Sequence, residues 1–106
     1  MAGLADTNTV DVVALDAAGQ VLVVMVETRP WGLDRAQSAQ LRAKISAYAA
    51  FVTDGSLLRR YPETAGRKVL IQLNCPELPV GEIAAIVDLA TAKLAPLGIG
   101  FRVNVS

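Results

Sequence analysis

Apolar residues alternate from Thr9 to Leu15 and run unbroken from Val21 to Val26, with Asp16-Ala17-Ala18-Gly19 between the two stretches. Successive side chains of a strand point to opposite faces, so the pattern predicts an antiparallel hairpin of Thr9–Leu15 and Gln20–Thr28, with Gly19 free to take a positive φ. A pairing sum near 35 to 36 sets Asp11 opposite Val24 or Met25. Both hairpin faces are largely apolar, so each needs cover.

Pro30 ends the second strand, and Asp34-Arg35-Ala36-Gln37 has the Asp-x-x-Gln form of a capping box. Leu33, Leu41, Ile45, Tyr48 and Val52 then recur at helical intervals, with Arg35, Ser38, Arg42 and Ser46 opposite. A helix is expected over 34–53, with Gly55 as its stop. Gly55 to Lys68 is turn-rich, with room for a short helical turn. Val69–Leu73 reads as a third strand. Pro79 falls in the first turn of a second helix, whose stripe is Val80, Ile83, Val87, Ala90 and Leu94. Pro96 and Gly98 stop that helix, and Ile99, Phe101, Val103 and Val105 alternate with Gly100, Arg102 and Asn104 in a last strand.

The order is therefore β-β-α-β-α-β: an α/β (α+β) two-layer sandwich, with a four-stranded mixed sheet and two main helices on one face. Strand order 1-2-3-4 is simplest and 1-2-4-3 its rival; right-handed crossovers place both helices on one side if each steps in one direction. Residues 1–8 are expected to form a flexible arm and 9–106 one domain, as suits a chain of 106 residues.

Composition narrows the chemistry. There is no histidine and one cysteine, Cys75, so histidine-based triads, zinc clusters and an internal disulfide are excluded. Cys75 reads as a buried strand-end residue. The longest apolar runs have six residues, against roughly 20 for a membrane helix, and the start resembles no signal peptide. A cytoplasmic protein with no membrane association is expected. Ten basic residues balance ten acidic ones, which does not favour nucleic acid. The split is uneven, since Arg29 to Lys68 holds eight basic residues against three acids, locally +5 with −5 elsewhere.

The sharpest catalytic candidates are Asp11 and Glu27, with Lys44 in reach. Two carboxylates near a cation can hold Mg²⁺ for phosphodiester hydrolysis. The set resembles the acidic pair and Glu-x-Lys of restriction-endonuclease-like nucleases, except that Arg29 replaces the lysine and stays protonated, so it cannot act as a base. Lys44 otherwise reads as a flank residue with its ammonium in water. Asp16 and Asp54 read as turn residues. Trp31, in a Pro-Trp-Gly turn beside Arg29, either closes the core or anchors a partner.

The preferred function is non-enzymatic: protein binding, or homodimerisation, through the apolar hairpin at Val24 with Arg29 and Trp31 beside it. A homodimer or small protein partner is expected and no cofactor or metal; the alternative is the Asp11/Glu27 phosphodiesterase. From Glu27-Thr28-Arg29-Pro30-Trp31, through Leu41-x-x-Lys44-Ile45-x-x-Tyr48-x-x-Phe51-x-x-x-Gly55, to Tyr61-Pro62, Val69–Leu73 and Leu97-Gly98-Ile99, the layout resembles a small family of uncharacterised bacterial, largely actinobacterial, α/β domains. That resemblance implies a fold and no catalytic residue.

Overall fold

A computed structural model describes residue 10 and residues 12–105. Its elements are β1 (Val12–Leu15), β2 (Val21–Val26), α1 (Gln37–Thr53), α2 (Ser56–Arg60), β3 (Val69–Cys75), α3 (Gly81–Leu94) and β4 (Ile99–Val105), with 3-10 turns at Pro62–Thr64 and Ala95–Leu97. The expected order holds, and the sheet runs β1-β2-β3-β4. β1 is antiparallel to β2 with Val12 opposite Val24, a pairing sum at the upper end of the expected range. β2, β3 and β4 are mutually parallel.

Parity assigns each face of the sheet. Val21, Val23, Met25, Ile71, Leu73, Cys75, Ile99 and Phe101 share one face and join Leu41, Ile45, Tyr48, Ile83, Ile86, Ala90 and Leu94 in a single core. Val87 and Val103 pack on its margin. Both long helices thus lie on one face, and the two layers exclude water from the central odd-numbered strand positions, while Leu15 and Val105 at the sheet's margins stay exposed.

Local chemistry explains where the boundaries differ from expectation. α1 starts at Gln37, not 34, because Asp34 is spent on a turn: its Oδ1 accepts from the Ala36 amide at 2.8 Å and its carbonyl from the Gln37 amide at 3.1 Å. Gln37 reaches away from that turn, so no capping box forms. Leu33 is consequently outside the helix and exposed. Pro79 precedes α3, which starts at Gly81; the buried stripe takes Ile86 and leaves Val80 in solvent. β3 extends to Cys75, since its pairing with β4 continues to Val105. The short helical turn allowed after Gly55 is α2, entered through Gly55 at φ 89°, a left-handed geometry that glycine adopts without Cβ strain. Asp16 and Asp54 are turn residues, with Asp16 Oδ1 accepting from the amides of Ala18 and Gln20 at 2.9 and 2.8 Å, and Asp54 Oδ1 from that of Ser56 at 2.8 Å.

Candidate functional site

Where β2 ends, the Glu27 amide still donates to the Asn74 carbonyl at 2.8 Å, so Glu27 leaves the sheet in register with β3. Its side chain is 3% exposed. Oε1 accepts from the Arg29 amide and Nε, both at 2.9 Å; Oε2 accepts from an Arg29 terminal nitrogen at 2.8 Å and from Gln37 Nε2 at 3.2 Å. Arg29 also donates to Asp34 Oδ2 at 3.1 Å and to Gln40 Oε1 at 2.8 Å. Gln37 is itself buried; its amide group donates to the Pro30 carbonyl at 3.1 Å and accepts from the Gly32 amide at 2.8 Å. The β2–α1 loop is tied to one carboxylate.

Burial by itself would raise the Glu27 pKa. The Arg29 and Gln37 hydrogen bonds and the Arg29 charge outweigh it, and the net direction is below the usual carboxylate value of 4.5. Hydrogen bonding to Glu27 raises Arg29 in turn. An ionised carboxylate offers about four acceptor directions, and here each has a donor. A metal ion would have to displace part of the loop to reach Glu27.

Asp11 lies outside the described residues. Lys44, expected with its ammonium in water, is 0% exposed. Lys44 shares one buried helical stripe with Leu41, Ile45 and Tyr48, the stripe that α1 turns to the core. Its ammonium sits 5.6 Å from the centre of the Tyr48 ring, and the Tyr48 hydroxyl donates to the Val24 carbonyl at 2.9 Å. Among the described residues no group of three or more Cys, Asp or Glu side chains is placed to hold a metal.

Trp31 packs against the core and bonds the β3–α3 loop, its indole N–H donating to the Glu77 carbonyl at 2.9 Å and its amide to Glu77 Oε1 at 3.0 Å. Cys75 is buried, and burial pushes its thiol up; contacts from Trp31 and the Glu77 backbone oppose the rise only in part. A recess of about 260 Å³ opens over Glu27, Thr28, Asn74 and Cys75, and one of about 430 Å³ lies between Trp31, Arg35 and the start of α3.

The face of the sheet away from the helices differs in kind. Register sets three rows across it: Ala14, Leu22, Leu70 and Gly100; Val12, Val24, Gln72 and Arg102; then Val26, Asn74 and Asn104. Val12 is 44% exposed, whereas Val24 is 7% exposed. Val24 therefore sits on the helix-free face yet is buried. Leu70 lies over Gly100, where an added Cβ would stand 2.6 Å from Leu70 Cδ1. On the polar side, Arg102 Nε donates to Gln72 Oε1 at 2.7 Å, Gln72 Nε2 to Asn74 Oδ1 at 2.7 Å, and Asn104 Nδ2 to the same oxygen at 3.2 Å. Alternation along the last strand set Arg102 and Asn104 opposite Phe101 and Val103 but gave them no role. Their shared parity was the available signal, whereas their hydrogen-bond chain depends on cross-strand register.

No helix among the described residues is long and apolar enough to cross a membrane. No curated protein and no solved structure matches the chain. A family-level match spans residues 2–106, nearly the whole chain. The protein belongs to the family of unknown function DUF6572.

Proposed function

We propose that this chain is a non-enzymatic protein-binding module whose partner surface is the helix-free face of the sheet. The observation that supports it is compositional. Among the strand positions on that face, Arg102 is the single charge, in a chain that is 19% charged. A face kept wet is normally dense in charge, whereas the centres of protein interfaces are depleted of it. Val12, Ala14, Leu22 and Leu70 form the apolar part of the surface, and a second copy or a small protein are the two occupants to distinguish. In this reading Arg29 and Trp31 hold the loop beside the face and Val24 supports the apolar rows from within. A bacterial cytoplasmic setting completes the proposal, the bacterial part resting on the overall resemblance stated above and the cytoplasmic part on the shortness of the apolar runs.

The test is photo-cross-linking in the cells that make the protein. A benzophenone side chain at Ala14, on the helix-free face, should give a discrete adduct. The same group at Leu89, exposed on α3, should give none. Adducts from Leu89 alone would move the partner surface to the helical layer.

A further inference from the structure

The lone charge on this face specifies the chemistry of its partner. Arg102 is exposed, and its one hydrogen bond to the described residues runs from Nε to Gln72 Oε1 at 2.7 Å. Among the described residues it enters none of the ion pairs, which there involve Arg29 and Arg42. Gln72 is 8% exposed and is fixed in turn by Asn74 at 2.7 Å. The guanidinium is thus held at one edge while both terminal nitrogens remain without an acceptor in the described chain. A fork presented in that way matches a carboxylate. Beside it, Leu70 lies across Gly100 and continues into Leu22 and Ala14 along the same row.

Resting on the reading of this face as a binding surface, we infer that its occupant is a segment of another protein carrying an Asp or Glu carboxylate for Arg102 and an apolar side chain for the Leu22–Leu70 row. A second copy does not meet that requirement, because its own helix-free strand positions bring no carboxylate. Leu22 lies two strands across and two residues along from Arg102. At about 4.8 Å per strand and 3.3 Å per residue the separation is about 12 Å, which an extended segment covers in about four residues.

Selection of a displayed random-peptide library on the immobilised full chain, with counter-selection on Leu22→Asp, tests this. Enriched peptides should carry an Asp or Glu about four residues from an apolar anchor. Their affinity should fall about tenfold or more on Arg102→Gln, recover in part with Arg102→Lys, and weaken with added salt. Arg102→Glu should redirect selection to Lys- or Arg-bearing peptides, and native circular dichroism of each variant confirms that it is folded. Peptides that need Leu22 but bind Arg102→Gln as well as the original chain would overturn the carboxylate assignment and leave the binding face standing. A dimer in sedimentation equilibrium that Leu22→Asp splits would overturn it in favour of a second copy. Selection that yields no Leu22-dependent peptide would remove both the inference and the face.

Discussion

Glu27 shows how one residue can be chemically conspicuous and still be structural. Its charge has four donors, and Glu27→Gln removes the charge while keeping the shape. We expect a loss of about 2–4 kcal/mol in urea denaturation, somewhat below a fully buried pair because Arg29 is partly exposed. The pH dependence has a definite sign. The folded carboxyl lies below its ordinary 4.5, so its stabilisation is complete above that value and is lost as pH falls through the lower, folded pKa. The gap between Glu27→Gln and the original chain should therefore narrow as the solution is acidified, and a constant gap would argue against the ion pair. Cys75, buried with its thiol pushed up, should resist a thiol reagent until the chain unfolds; rapid labelling of the native protein would contradict its burial. Glu27 and Arg29 stood out in the sequence because charge follows a valine run. Gln37 and Gln40 did not, since a helical glutamine ordinarily faces water and only the loop's path brings these two to Glu27 and Arg29.

At the scale of elements, element order and hairpin register were legible and strand order was narrowed to two choices, because four strand-like segments and the short Asp16–Gly19 turn leave few alternatives. The start of α1 was not, since Asp34 can cap a helix or close a turn, and the Arg29 guanidinium that engages it comes from outside the window in which a capping box is read. The burial of Lys44 was equally hidden. A lysine at the edge of an apolar stripe can reach water from most helices, and only the packing of α1 in this fold closes that route. Phe101→Ala and Ile45→Ala, one in each layer, should cost about 3–5 and 2–4 kcal/mol through the cavities they leave. Losses under about 1 kcal/mol in denaturant titrations of both would refute the shared core. Gly100→Ala should change stability little, because the Leu70 methyl it meets ends a side chain that can turn aside, but that turn should weaken any ligand seated on the row.

For the whole molecule, the sandwich uses its two sheet faces differently. One carries the shared core with α1 and α3, and its positions answer to stability. The other keeps an apolar half, a hydrogen-bonded polar half and a single charge, and its exposed positions have little to do with holding the fold together. The sequence showed that the hairpin is apolar on both faces. It did not show that Val24 is buried while Val12 and Ala14 are exposed, because alternation assigns a face and not a depth. Leu22 is therefore a better place than Val24 for a test charge: it borders the proposed surface, and a charge at buried Val24 would perturb folding as well as binding. The most direct measurement is the yield of photo-adduct from Ala14 in the original chain and in Leu22→Asp, with circular dichroism recorded on both. The account predicts a discrete adduct that the charge abolishes in a protein that stays folded; an undiminished adduct in folded Leu22→Asp would contradict it.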